Sequence, residues 1–331
     1  MDQAYSETPE TVTPPFWLDI LNPTDSEMKI LSRTFGIHPL TAEDIMLGES
    51  REKIEIFGDY YLIVSSTMQQ RIRSQKYMSR VLEPVNLYIV VFKEGVLTFH
   101  HSPLAHPANV RRRIRQLREH ISVSADWIAY ALIDDVTDHF EPLMDATEQE
   151  VLIIDNDIIK IFSNASFTWK QKGDMLIRIG ECRKRVMALT RLVSSKADVV
   201  KSFSKRCQEN WDAVPAAEVA LYLGDIQDHV VTMTQSLNHY EKLLSRSHSN
   251  YLAQINIEMT QVNNDTNEVL GHLTVLGTIV LPMNIVTGLW GMNVKVPGQE
   301  IDSLTWFNGI VLGLMVFGIL FYLVFSRLLL R

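Results

Sequence analysis

Two stretches toward the C-terminal end, residues 269–294 and 303–326, contain no Asp, Glu, Lys or Arg. Each exceeds the ~20 apolar residues that cross a bilayer core, so transmembrane helices are predicted at about 269–290 and 306–326. Upstream, apolar residues recur at Val219, Tyr222, Ile226, Val230, Met233, Leu237, Tyr240, Leu244, Tyr251, Ile255 and Val262, the spacing of one helix face. No proline falls between Pro215 and Pro282, and only Gly224, Gly271 and Gly277 interrupt that run as glycines. Nothing there stops a helix. One continuous helix is therefore predicted from about residue 216 to 290. It is a cytosolic stalk that becomes the first span, and the unit closes at residue 293.

The N-terminal part has the mixed rhythm of an α/β domain, residues 16–123. FWLDI at 16–20 reads as a short strand, and Thr24 or Asp25 offers the N-cap of a helix carrying Met28. Residues 53–68, KIEIFGDYYLIVSSTM, predict two strands around the Gly58-Asp59 turn. Residues 86–100, NLYIVVFKEGVLTFH, predict a hairpin turning at Lys93-Glu94-Gly95. A basic amphipathic helix follows at 111–119. Residues 124–210 read as helical with a break at Ser163-Asn164-Ala165-Ser166. Before the break lie Asp134, Asp135, Asp138, Glu141, Asp145, Glu148 and Glu150; after it lie Lys170, Lys172, Arg178, Arg183, Lys184, Arg185 and Arg191. Opposite charges on the two arms predict an antiparallel helical hairpin.

Charge and composition narrow the function classes. The 331 residues include 31 basic and 39 acidic side chains, a formal charge of -8. That balance argues against a nucleic-acid partner, and Arg111, Arg112, Arg113, Arg115 and Arg118 read as the charged face of a short helix. Cys182 and Cys207 stand 25 residues apart, neither a zinc spacing nor a disulfide framework, and are expected to be reduced cytosolic thiols. His100-His101 reads as a solvated strand end. Residues 1–15 are acidic, rich in Pro and Thr, and lack signal-peptide features, so they are expected to be disordered. The natural N-terminus could be longer. No Gly-rich phosphate loop, nucleophile triad or HExxH occurs in the sequence, so an enzyme is not expected.

Within the first span, Asn267, Leu270, Thr274, Gly277, Leu281, Asn284, Gly288 and Gly291 follow one another in steps of three and four and share one helix face. A lipid-facing line would be uniformly apolar. Amides and a hydroxyl at membrane depth need partners, and small residues let backbones approach. The line reads as a helix-dimer seam or as the pore-lining face of a ring of helices, amide-lined and without a carboxylate. Trp290-Gly291-Met292-Asn293 closes the span, with Gly291 where helices commonly end on a left-handed glycine. The external loop, 294–305, carries Lys295, Glu300 and Asp302. Arg327 and Arg331 in the tail, 327–331, put the C-terminus on the cytosolic side, as expected for the N-terminal domain.

These segments resemble the CorA-type divalent-cation channels. NEVLGHLTVLGTIVLPMNIVTGLWGMN (267–293) is similar to the family's first transmembrane helix with its Gly-Met-Asn signature. FGIHPLTAEDI (35–45), ADWIAYALID (125–134) and GDIQDH (224–229) resemble further family segments in the same order, and GLWGMNVKVPGQE resembles the fungal plasma-membrane and vacuolar branch. Departures are a stalk about one heptad longer than in bacterial members, Trp290 for the usual Tyr, and Asn284 where Thr is common. The C-terminal basic cluster is also reduced, to Arg327 and Arg331.

The resemblance implies an α+β membrane protein. Its parts would be an N-terminal cytosolic α/β domain, a long helical stalk continuous with the first span, and two transmembrane helices, assembled as a homopentameric funnel. It would sit in the lipid bilayer of the plasma membrane or the vacuole with both termini cytosolic. The implied function is a Mg²⁺ channel or transporter mediating influx down the electrochemical gradient and gated by cytosolic Mg²⁺. Gly291, Met292 and Asn293 would form the selectivity filter, Asn267 the cytosolic mouth, and Leu270 and Leu281 constrictions that gate by dewetting. Thr274, Gly277, Asn284 and Gly288 would complete the lining. Neutral amides suit Mg²⁺, which dehydrates reluctantly; Co²⁺, Ni²⁺ and Zn²⁺ are further candidate cargo. Asp44 and Asp225, with Glu43 and Asp134, resemble the family's intersubunit regulatory metal positions. Mg²⁺ is thus expected both as transported and as regulatory ion. Alternatives are a zinc- or other divalent-cation transporter of the same fold, or a non-conducting membrane-anchored oligomeric scaffold.

Overall fold

The computed structural model describes residues 15–72, 80–117, 121–163, 168–209, 214–298 and 303–329. Residues 1–14, Arg118, the Asn164-Ala165-Ser166 part of the expected break, Glu300, Asp302 and Arg331 lie outside the described residues. The chain divides into two units, Met1–Ser249 and Asn250–Arg331.

The first unit opens with β1 (Phe16–Leu21), α1 (Asp25–Phe35), α2 (Pro39–Leu47), β2 (Lys53–Ile56), β3 (Tyr60–Ile72), β4 (Arg80–Phe92) and β5 (Gly95–His100). Thr24 caps α1 in a capping box: its backbone N–H donates to Glu27 Oε2 at 2.8 Å while its side chain accepts from Glu27 N. Gly36 ends the helix at φ 66, a conformation that favours glycine. The strands form one sheet in the order β1-β5-β4-β3-β2. β1 runs parallel to β5, and the remaining pairs are antiparallel, with Tyr60 opposite Phe92 and Val90 opposite Leu97.

Alternation along β3 sends successive side chains to opposite faces. Tyr60, Leu62 and Val64 join Met28, Ile37 and Ile45 in a core beneath α1 and α2. Between them, Tyr61 turns to the other face, where its hydroxyl donates to Asp126 Oδ1 at 2.5 Å and its ring lies 5.7 Å from Phe203. Burying each such side chain contributes about 1.5–3 kcal/mol. The sheet is therefore covered on both faces.

The second face is where the structure departs from expectation. α3 (His106–Leu117) begins five residues before the expected start, with Pro107 in its first turn, a position where proline's missing N–H costs nothing. The helix expected to start the hairpin is split at His139-Phe140 into α4 (Ala125–Asp138) and α5 (Glu141–Ser163). Pro142 is the signal: proline's missing N–H costs nothing in the first turn of α5 but would break the interior of a continuous helix. α4 is mostly buried and packs on β3, β4, β5 and α3, so the α/β layer extends beyond residue 123. The antiparallel pair is α5 with α6 (Trp169–Glu209), joined by Arg178 to Glu150 at 2.7 Å and to Asp157 at 2.9 Å. His100 is buried, not solvated, with Nε2 3.1 Å from Asp19 Oδ1. Cys182 and Cys207 are buried free thiols.

α7 (Val214–Trp290) is continuous and belongs to both units. In the first unit Val219, Ile226, Val230, Leu237 and Leu244 are buried, as their spacing predicts, and so is Leu223; Tyr222 is exposed and stacks on Tyr130 at 5.3 Å. From residue 259 to 270 every position is exposed. The second unit consists of the rest of α7 and α8 (Thr305–Leu329), and both helices are long and apolar enough to cross a membrane.

Candidate functional site

In the second unit, α8 covers one side of α7. A Cβ added at Gly318 would lie 3.1 Å from Met283 Cε and 3.9 Å from Ile279 Cγ2. Pro282 and Val286 line a cavity with Ile310, Gly313, Leu314 and Phe317. At ~100° per residue, the positions facing α8 centre roughly 170° away from the line through Leu270, Thr274, Gly277, Leu281, Asn284 and Gly288. The polar line thus occupies the face that the second span leaves open. Leu270 and Leu281 on that face are 54% and 65% exposed.

The three threonine hydroxyls of the first span are served by their own helix. Thr274 Oγ1 donates to the Leu270 carbonyl at 2.7 Å, Thr278 to Thr274 at 2.8 Å, and Thr287 to Met283 at 3.1 Å. The amides are not: among the described residues, no protein group bonds the side chains of Asn267 and Asn284. Pro282 removes one backbone donor, so the Thr278 carbonyl lacks its usual helix partner.

Gly291 is not a left-handed cap, which corrects the expectation. Its N–H donates to Thr287 O at 3.0 Å and Gly288 O at 3.2 Å, and the positive-φ glycines are Gly36, Gly48 and Gly298. A Cβ at Gly291 would meet those two carbonyls at 3.4 and 3.6 Å, ordinary contacts. Among the described residues, nothing in its own chain demands glycine there. Met292 and Asn293 are exposed beyond it. Gly298, by contrast, has φ +92 and a Cβ there would fall 2.5 Å from the Trp306 ring.

The four carboxylates assigned to metal sensing lie in the first unit, and the structure gathers no three metal-ligating side chains among its described residues. Asp44 Oδ2 accepts from Lys53 Nζ at 2.7 Å, and the same ammonium reaches Glu55 at 2.8 Å. Burial works against the Lys53 charge, but its two carboxylate partners outweigh it and raise its pKa. Glu43, next to Asp44, is exposed. Asp134 is bound by Arg113 and sits 3.5 Å from the Tyr130 hydroxyl. Asp225 is 74% exposed on α7, with His229 Nε2 at 3.9 Å. Nearby Asp138 has its pKa raised, first by burial and then by Asp134 and Asp135. Sequence reasoning found these carboxylates but not their basic partners, because Lys53 and Arg113 come from other elements. Only strand pairing and α3–α4 packing bring them into reach.

Comparison with known proteins agrees with this architecture. Residues 15–327 match the family described as CorA-like Mg2+ transporter protein. The manganese resistance protein MNR2 of Saccharomyces cerevisiae is 44% identical, over 90% of this chain and 47% of its own length. The magnesium transporter ALR1 of the same yeast is 43% identical, over 93% of this chain and 39% of its own length. Among solved structures, the full-length CmaX protein aligns with TM-score 0.64 at 17% identity, covering 95% of this chain and 88% of that one. The CorA magnesium transporter of Methanocaldococcus jannaschii aligns with TM-score 0.60 at 17% identity, over 94% and 90%. The chain belongs to the CorA-like Mg²⁺ transporter family, whose members are transporters, not enzymes. It spans less than half the length of the fungal relatives it matches.

Proposed function

We propose that the chain forms the membrane-spanning and metal-sensing part of a homopentameric Mg²⁺ channel. The observation that carries this reading is the amide-bearing line of α7 on the face turned away from α8. Five copies of that face would enclose an axis lined by Asn284 and bounded by Asn267 and Asn293, with α8 outside. The two unserved amides would then meet hydrated ions, and Gly291, which its own chain does not require, would let neighbouring copies close around the filter. Leu270 and Leu281 would form the apolar constrictions. Amide oxygens can hydrogen-bond the water shell of Mg²⁺ without stripping it.

Cytosolic Mg²⁺ would close the ring by bridging Asp44 of one subunit and Asp225 of the next, with Glu43 and Asp134 contributing. The donor set fits, since all four offer the oxygen ligands this ion takes. Two of them already hold a cation of their own chain, which makes the binding weak and suits sensing of free Mg²⁺. At ten times Kd each site would stabilise the closed state by ~1.4 kcal/mol, so five would give about 7 kcal/mol. Roughly 5.5 kcal/mol moves a two-state gate almost completely.

The test is purification and reconstitution of the full chain in liposomes, with Mg²⁺, Co²⁺, Ni²⁺ and Zn²⁺ flux followed at a set membrane potential. Mg²⁺ entry that Asn293→Ala nearly abolishes supports the channel. Absence of flux favours a scaffold, and preference for Zn²⁺ favours a zinc transporter of the same fold. The plasma membrane and the vacuolar membrane are both compatible with a cytosolic first unit.

A further inference from the structure

The polar line of α7 does not stop where the charge-free span begins. Asn256, Thr260 and Asn263 precede Asn267 in steps of four, three and four, the alternation that Leu270, Thr274 and Gly277 continue. A line that repeats every seven residues stays on one face when helices wind around each other with a left-handed twist. All four side chains are exposed, as is every position from residue 259 to 270. Thr260 Oγ1 donates to the Asn256 carbonyl at 2.7 Å. Among the described residues, no protein group bonds the side-chain amides of Asn256 and Asn263. This part of α7 belongs to the second unit, which starts at Asn250.

Two neighbouring lines of the same helix decide how this face is used. One residue earlier at each step, ~100° round the helix, Ile255, Met259, Val262, Val269 and Leu273 form an apolar stripe. The last four are each more than half exposed. Lipid can cover Val269 and Leu273, but Met259 and Val262 stand before the span, where water would meet them. A stripe that runs from the aqueous stalk into the bilayer is covered along its whole length by another helix running the same way, the α7 of a second copy. Glu258 and Asp265 lie two residues past Asn256 and Asn263, ~200° round the helix. They share the seven-residue register of Ile279, which lies on the side of α7 that α8 covers. Packing the apolar stripe on a neighbour therefore turns the amides towards the enclosed space and keeps these two carboxylates away from it.

We infer that the conduit continues past Asn267, and that the Asn263 and Asn256 amides of the assembled copies form two further rings that bind hydrated Mg²⁺ on its way to the cytosol. This rests on the channel reading of the chain. At ~1.5 Å per residue, Asn256 lies about 16 Å beyond Asn267, so the ion passes among amides for that distance after it leaves the span. Mg²⁺ dehydrates reluctantly, and amide oxygens accept hydrogen bonds from its water shell. Carboxylate rings would hold the ion by charge-assisted bonds and slow its release. The line from Asn256 to Gly291 carries no charged side chain, so each ring hands the ion on.

The experiment is Mg²⁺ current through the full chain in membrane patches, with a positively charged methanethiosulfonate applied to the cytosolic side. Cys182 and Cys207 are buried, so a newly placed cysteine is the accessible thiol. Modification of Asn263→Cys and of Asn256→Cys should each cut the current at least about tenfold, because it sets fixed positive charge in the path of a cation. Asp265→Cys, modified on the far side of the helix, should keep its current. Mass spectrometry of the recovered protein confirms modification in each variant. Asn263→Lys repeats the comparison without a reagent and should suppress the current, while Asp265→Lys should not. Modification of Asn263→Cys or Asn256→Cys without loss of current, or equal block of Asp265→Cys, would overturn the exit path and leave the channel standing. A parent chain that passes no Mg²⁺ current at any potential would overturn the channel reading and this inference with it.

Discussion

The ammonium of Lys53 lies 2.7 Å from Asp44 Oδ2 and 2.8 Å from Glu55 Oε1, so the metal-sensing candidate Asp44 is already neutralised within its own subunit. A bridging Mg²⁺ would have to compete with that lysine. Lys53→Ala should therefore raise the sensitivity to internal Mg²⁺. A half-buried pair of this kind contributes about 1 kcal/mol, which corresponds to a roughly fivefold lower inhibiting concentration. Current against internal Mg²⁺ in patches checks this, and an Asp44→Ala, Asp225→Ala double variant should lose inhibition.

Asn293→Ala should nearly abolish Mg²⁺ flux, because in the proposed pentamer five amides would leave the outer ring together. Asn284→Thr should keep flux and change the competition among Mg²⁺, Co²⁺, Ni²⁺ and Zn²⁺, since a hydroxyl in this helix bonds its own carbonyls, as Thr274 does. Competition in liposome uptake reads both.

The Lys196–Glu52 pair is buried on both sides, 2% exposed each. Lys196→Met should destabilise the first unit by about 3–5 kcal/mol, because it strands the Glu52 carboxylate. Adding Glu52→Gln should restore much of that loss. Thermal unfolding of the three variants beside the parent measures it.

His100 and Asp19 give the first unit a pH dependence. Burial lowers the His100 pKa, but the hydrogen bond to Asp19 and its charge outweigh burial, and the net shift is upward. Asp19 is likewise opposed by burial and held below its usual value by His100 and Thr98. The stability from a raised histidine is full below about pH 6.5 and is lost as pH rises through its folded-state pKa. The stability from a lowered carboxylate is present above its ordinary pKa and is lost in acid. His100→Gln should therefore flatten the fall in melting temperature between neutral and mildly alkaline pH.

The long helix was legible because its apolar spacing is uninterrupted and no helix breaker lies between Pro215 and Pro282. The strands were legible from alternation, and Thr24 from its capping box. α4 was misjudged because a helix buried on nearly every side has no polar stripe to reveal which neighbour it packs on. Its acidic residues looked like one arm of a hairpin, yet Asp134 and Asp135 bind Arg113 and His106. His100 was misjudged for a related reason: its partner, Asp19, lies 81 residues away in sequence. The polar line on α7 was legible as a face, but only α8 packing shows that this face stays open.

The most direct measurement is Mg²⁺ uptake by the reconstituted full chain as the membrane potential is varied at fixed pH on both sides. A divalent ion crossing 100 mV gains about 4.6 kcal/mol, twice the ~2.3 kcal/mol of a single charge. The line from Asn267 to Gly291 that would face the proposed conduction path carries no carboxylate to relay protons. Uptake that rises with inside-negative potential and needs no proton gradient is the predicted result. Uptake that requires a proton gradient and ignores the potential would contradict the channel.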